Sequence, residues 1–214
     1  MRNKFNKQLN ELNQEMVQMG TMIEHSIANA VDALTNRNEA LAKAIMQGDE
    51  EIDRAQKRIE NICFNLLVQQ QPVAKDLRTI TAAMKMVTDM ERIGDHAADI
   101  SEITTYMVQQ KSHADFSHIN QMAKETVTML NWSIEAYVER NEKKAQKVIN
   151  HDDIVDGLFD EVKKDIIELI LHDPEDGEEA TDLLMVAKYF ERIGDHATNI
   201  AEWVIYSLKT TEDA

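Results

Sequence analysis

The chain has 214 residues, of which 43% are apolar and only 5% aromatic, with six Gly and two Pro. Lys and Arg number 23 against 39 Asp and Glu, a formal net charge of −16 that no basic run offsets. This balance excludes nucleic acid and anionic membrane surfaces as natural partners, and the abundance of Ala, Leu, Ile, Met, Glu, Lys and Gln points to helices.

From Lys4 onward, Leu9, Leu12, Met16, Met19, Ile23, Ile27, Ala30 and Leu34 step by three or four. That period predicts one amphipathic helix of about nine turns. Asn36-Arg37-Asn38 loosens it, Glu39 to Gln47 reads as helical again, and Gly48-Asp49 is expected to break the chain before a second helix. That helix carries Ile52, Ala55, Ile59, Ile62 and Leu66 inside and closes at Gln69-Gln70-Gln71-Pro72. A third helix, with Pro72 at its start, runs from about Val73 to about Gln110.

The second half repeats this order. Helix four covers roughly Phe116 to Glu139, helix five begins near Asp152 and ends at Leu171, and helix six runs from near Glu178 to Leu208. Arg140-Asn141-Glu142 mirrors Arg37-Asn38-Glu39 at an offset of 103. The expected architecture is all-α: two tandem three-helix bundles, residues 1–110 and 111–214. His172-Asp173-Pro174-Glu175-Asp176-Gly177 has no counterpart in the first half and reads as an exposed acidic loop.

Cys63 is alone, so neither an intrachain disulfide nor a thiolate metal cage can form, which fits a reducing compartment. No stretch is apolar enough to span a bilayer, and the first residues lack the apolar centre of a secretion signal. The expected location is the cytoplasm, without membrane insertion.

The strongest internal signal is Glu91-Arg92-Ile93-Gly94-Asp95-His96-Ala97, which returns one hundred positions later as Glu191-Arg192-Ile193-Gly194-Asp195-His196-Ala197. Acids four apart share a helix face. Ile80, Met84 and Val87 lead in steps of four and three to Glu91, an acid where the stripe calls for an apolar residue. Asp99 continues the row in the first copy and Asn199 in the second. Asp49 with Asp53, and Asp152 with Asp156, add a second spacing of four in each half.

Each of these residues has a plainer reading. Asp49 and Asp152 precede apolar periodicity and can be N-caps. Asp53 and Asp156 can be first-turn acids favoured by the helix dipole. Glu91, Asp95, Glu191 and Asp195 can form buried ion pairs with Arg92, Arg192 or a Lys of another helix. A row of carboxylates without thiolate otherwise suits Mg, Mn, Ca or iron. Gly94 and Gly194 cost about 1 kcal/mol each inside a helix relative to Ala, so close packing or room for ions must offset them. His96 and His196 lie about 100° around the helix from the acids and read as surface residues. Met86, Met90, Val186 and Phe190 read as a packing face, and Cys63 as a small buried apolar residue.

No nucleophile elbow, P-loop or dinucleotide fingerprint is present, so catalysis is not expected. The competing class is a carboxylate-bridged metalloenzyme or metal store, but no Glu has His three residues later, as the di-iron bundles require. The chain also shows no clustered Arg or Lys and no glycine-rich anion cradle along its length. Metal-free protein is therefore expected to bind no phosphate.

The two motifs, continued by Ala98-Asp99-Ile100, together with Gln71-Pro72-Val73-Ala74-Lys75-Asp76-Leu77-Arg78, resemble the PhoU family of phosphate-uptake regulators over essentially the whole chain. The resemblance implies a cytoplasmic, often dimeric regulator that restrains a high-affinity phosphate ABC transporter and a phosphate-sensing histidine kinase. Its contacts would be the transporter's ATPase subunit and that kinase. The net charge of −16 and the missing anion cradle add the expectation that phosphate status reaches the protein through its partners. The resemblance further implies multinuclear metal ions, iron or zinc, on Asp49, Asp53, Glu91, Asp95 and Asp99, and on Asp152, Asp156, Glu191, Asp195 and Asn199. Asn199 replaces an anion with a neutral amide, which implies a weaker second site. The Gln-Pro…Asp-Leu-Arg signature is absent from the second half.

Overall fold

The computed structural model describes residues 2–69, 72–109 and 114–209. They form α1 (Arg2–Thr35), α2 (Glu39–Gln69), α3 (Ala74–Met107), α4 (Ser117–Glu139), α5 (Glu142–His172) and α6 (Gly177–Leu208), with no strand among the described residues. The first three helices pack on one another, and so do the last three. The most extensive packing in the molecule joins the halves, between α3 and α6, and α1 meets α4 beside it.

The α3–α6 pair is antiparallel. Arg78, near the start of α3, donates to the carbonyl of Lys209 just past the end of α6 at 3.0 Å. His96 stacks at 5.3 Å on Tyr189, while Asp89 meets His196 at 2.9 Å. Residues 89 and 189 differ by the repeat offset, so each half presents the same helix position to the other's histidine. The halves are thus related by an approximate two-fold axis across this seam.

The stripe read on α1 is core: Leu12, Met16, Met19, Ile23, Ile27, Ala30 and Leu34 are buried, as are Met86, Met90, Val186 and Phe190. All belong to one apolar cluster that runs through both halves. Burying a large apolar side chain contributes about 2 kcal/mol, so this cluster outweighs the cost of holding a few acids half-buried beside it. Gly20 lets α1 approach α4: a Cβ there would run into Ile134 Cδ1. Cys63 is buried, and burial pushes its thiol up to about 12.

The corner between α1 and α2 recurs between α4 and α5. Arg37 (φ 51°) and Arg140 (φ 55°) take the left-handed conformation. The next residue closes a bond back across the turn, Asn38 N to Ala33 O at 2.8 Å and Asn141 N to Ala136 O at 2.9 Å, the Schellman pattern of helix C-termini. The same asparagines cap the following helices: Asn38 Oδ1 accepts from Leu41 N, and Asn141 Oδ1 from Lys144 N, each at 3.1 Å.

This geometry corrects two expectations. Helix two does not break at Gly48-Asp49 and helix five does not begin near Asp152. Both start about ten residues earlier, where Ala42 and Ile45 on α2 and Ala145 and Val148 on α5 are buried. Packing along that face carries both helices, and in α2 it outweighs the local penalty of Gly48. Asp49 and Asp152 therefore lie in helix interiors and are not N-caps. The acidic stretch 172–177 is also tighter than expected. Pro174–Asp176 forms a 3-10 turn capped by Asp173, whose side chain accepts from Glu175 N at 2.9 Å, and Asp176 is buried.

A third correction concerns positive charge. Lys75, Arg78, Arg140 and Lys209, dispersed along the sequence, line one cavity where the start of α3, the α4–α5 corner and the end of α6 meet.

Candidate metal centre

Because α2 is continuous through Asp49, its residues 49 and 53 stand one turn apart on the face turned to α3. Asp49, Asp53 and Asp95 each bring a carboxylate oxygen within 4.8 Å of the other two, the one such trio of metal-ligand type among the described residues. All three are half-buried. Asp49 Oδ1 is enclosed and has no hydrogen-bond partner, which a native structure rarely leaves uncompensated.

Gly94 explains how the oxygen fits. A Cβ at that position would stand 3.4 Å from Asp49 Oδ1 and 3.0 Å from both Cγ2 and Cδ1 of Ile52. The missing side chain lets α2 lay a carboxylate and an isoleucine directly on α3. Burial first, then the charges of Asp95, Asp53, Glu91 and Asp99, push Asp49 up to about 6. Glu91 is raised as well, by burial and then by Asp95, against the opposing pull of Arg92.

The ion pairs of the plainer reading are also present. Arg92 donates to Asp95 at 2.8 Å and stands 3.5 Å from Glu91. In the second half Lys188, on the same helix, pairs with Glu191. These cations sit at the rim and leave Asp49 untouched.

The second half repeats the cradle more openly. A Cβ on Gly194 would stand 3.1 Å from Asp152 Oδ1, and Asp152 is likewise pushed up to about 6, by burial first and then by Asp156, Asp195 and Asp153. Asp156 and Asp195, however, are exposed, where Asp53 and Asp95 are half-buried.

The last position of each row turns to the seam. Asp99 Oδ2 lies 3.2 Å from His96 Nδ1, and Asn199 donates to Asp89 Oδ1 at 3.2 Å, the oxygen that also meets His196. His96 is buried, which corrects its reading as a surface residue. Burial holds its pKa down, with the hydrogen bond to Asp99 opposing. The two histidine rings stand 5.6 Å apart. Asp89 and Tyr189 are the seam residues that sequence reasoning passed over. Their one signal was the shared offset of one hundred, which is silent when the two residue types differ.

The PhoU domain family model matches twice, over residues 16–104 and 119–204. The chain belongs to the PhoU family. It is 40% identical over 95% of its length, and 94% of the other chain, to a Clostridium acetobutylicum protein described as a phosphate-specific transport system accessory protein PhoU homolog. An Aquifex aeolicus protein of the same description is 34% identical over 88% of this chain and 86% of its own. Among solved structures, PhoU from Pseudomonas aeruginosa superposes with a TM-score of 0.89 at 28% identity, covering 95% of this chain and 98% of that one. The phosphate transport system regulatory protein PhoU from Streptococcus pneumoniae does so at 0.87 and 28%, covering 95% and 96%. The double family match coincides with the two three-helix units of the fold.

The donor set fits a hard cation such as the iron that the family resemblance implies. Three clustered carboxylates, one with an enclosed unpartnered oxygen, supply the hard anionic ligands that a divalent or trivalent cation takes. Asp49, Asp53 and Asp95 would hold such an ion, with Glu91 beside them. The bound charge would relieve the repulsion that raises Asp49.

Proposed function

We propose that this chain is a metal-bearing regulator of phosphate uptake that restrains a high-affinity phosphate ABC transporter and a phosphate-sensing histidine kinase when phosphate is plentiful. The observation that carries this reading is similarity along nearly the entire length to proteins described as phosphate-specific transport system accessory proteins. No helix of the described residues is long and apolar enough to cross a membrane, which supports action on the cytoplasmic side, through the transporter's ATPase subunit and the kinase. The long helices α1, α2, α4 and α5 offer faces of the kind that dock partners or a second copy of the chain.

In this reading the ions lock α2 to α3 and α5 to α6. Asp49, Asp53 and Asp95, with Glu91 beside them, make the tighter site, while Asp99 of the same row faces His96. Asp152, Asp156, Glu191, Asp195 and Asn199 make the weaker one, since two of those acids are exposed and Asn199 donates to Asp89. Iron or zinc, with Mg or Mn as alternatives, is the expected cargo. The deciding experiment is deletion of the gene: phosphate-starvation genes should stay on, and uptake unrestrained, in phosphate-rich medium. Normal repression in the deletion strain refutes the regulatory role.

A further inference from the structure

Lys75, Arg78, Arg140 and Lys209 converge on a cavity of about 330 Å³ that they share with Ala74, Ser207 and Leu208. Among the described residues no carboxylate lines it. Among the described residues none of the four cations forms a salt bridge, although acids outnumber bases overall. Glu139, next to Arg140 in sequence, is taken up by Lys144 at 2.9 Å.

Both arginines are instead held by neutral groups. Arg78 donates to the Lys209 carbonyl at 3.0 Å and lies 5.8 Å from the centroid of the Tyr206 ring. Arg140 donates to Thr79 Oγ1 at 3.3 Å. Their guanidinium groups are positioned before any ligand arrives, yet keep their full charge.

The internal repeat supplies the control. The left-handed arginine at the other corner, Arg37, reaches across to α6 and pairs with the carboxylate of Glu179. Glu179 is the repeat mate of Thr79, and Glu178 is the mate of Arg78. One pole of the molecule therefore carries its own anion. At the other, a threonine hydroxyl replaces the carboxylate and an arginine replaces the neighbouring glutamate.

We propose that this cavity is a binding site for a tetrahedral oxyanion, inorganic phosphate in the first instance, which occupies the place that a protein carboxylate holds at the opposite pole. Arginine forks match phosphate oxygens in pairs, and Lys75 and Lys209 add point charge. The exposed α3 N-terminus, whose N-cap Val73 makes no side-chain bond, adds its dipole. The cavity also gives a use to Lys75 and Arg78 of the Gln71–Arg78 signature, which the acidic site leaves unemployed. The oxyanion would tie the start of α3 to the α4–α5 corner and the end of α6, across the two halves.

The test is calorimetric titration of the full chain, stripped of metal by a chelator so that the acid trio cannot supply anion binding, with inorganic phosphate at low ionic strength. One phosphate per chain is expected, with sulfate competing and chloride at matched ionic strength failing to displace it. Arg78→Gln and Arg140→Gln should each weaken binding about tenfold or more. Lys75→Gln, an exposed position whose change leaves the fold intact, should weaken it several-fold. Arg37→Gln, at the self-neutralised pole, should leave it unchanged. Absence of phosphate binding by the metal-free wild type overturns the proposal, as does an equal loss in Arg37→Gln or displacement by chloride. Each of these outcomes is independent of the gene-deletion phenotype, so this site and the regulatory reading fail separately.

Discussion

Replacing Asp49 with Asn tests the acid cradle through two effects of opposite sign. The folded carboxyl titrates at about 6 against a reference of 3.8, a difference of about 3 kcal/mol at full conversion. Solvent screening of a half-buried group reduces the usable part to about 1 kcal/mol. Because the folded value lies above the unfolded one, the charged form costs stability above pH ~6, and that cost fades to nothing as pH falls toward 3.8. In chelator at pH 7.5, Asp49→Asn should therefore be about 1 kcal/mol more stable than wild type, roughly 2–4 °C in melting temperature for a chain of this size. The advantage should vanish by about pH 4. With metal the order reverses. A cation at a hundredfold its dissociation constant adds about 2.7 kcal/mol to the wild type, and the variant should lose most of that gain. Scanning calorimetry over pH, with and without metal, reads both effects. A variant less stable than wild type in chelator would show that Asp49 is stabilised by its surroundings and would refute the cradle.

The glycines and the corner arginine give sharper controls. A Cβ on Gly48 meets nothing within 4 Å, so Gly48→Ala should stabilise by about 0.5–1 kcal/mol through helix propensity. Gly94→Ala should instead destabilise by about 1 kcal/mol. The new methyl lies 3.0 Å from Ile52 Cγ2, a branch that a helical β-branched side chain cannot turn away, and overpacking of 1–3 kcal/mol exceeds the propensity gain. Denaturant midpoints check both, and a stabilised Gly94→Ala would show that α2 can retreat from α3. The Arg37–Glu179 pair is 18% and 2% exposed, so Arg37→Ala should cost about 2 kcal/mol in urea unfolding by removing a charged hydrogen bond from a buried carboxylate. A loss under 1 kcal/mol would show that Glu179 is satisfied without it.

The sequence by itself determined what is local and periodic. The 3–4 spacing on α1, the repeated Glu-Arg-Ile-Gly-Asp-His-Ala motif and the Arg-Asn-Glu corners were enough for six helices in two similar units, because helix amphipathicity and turn chemistry act over a few residues. It also singled out Asp49, Asp53 and Asp95, since acids one turn apart must share a face. What it could not decide is where α2 and α5 begin. A glycine and an aspartate read as a break until burial of Ala42, Ile45, Ala145 and Val148 shows a packing face that carries the helix through them. Nor could it show which acids meet. Asp49 joins Asp95 only because Gly94 lets two helices touch, whereas the equivalent acids of the second half remain more exposed. Arg78, Arg140 and Lys209 stand tens of residues apart along the chain and come together only when α6 lies antiparallel on α3. Charge clustering across a helix seam depends on that crossing, which is set by packing of the whole core and leaves no short-range trace in the order of residues.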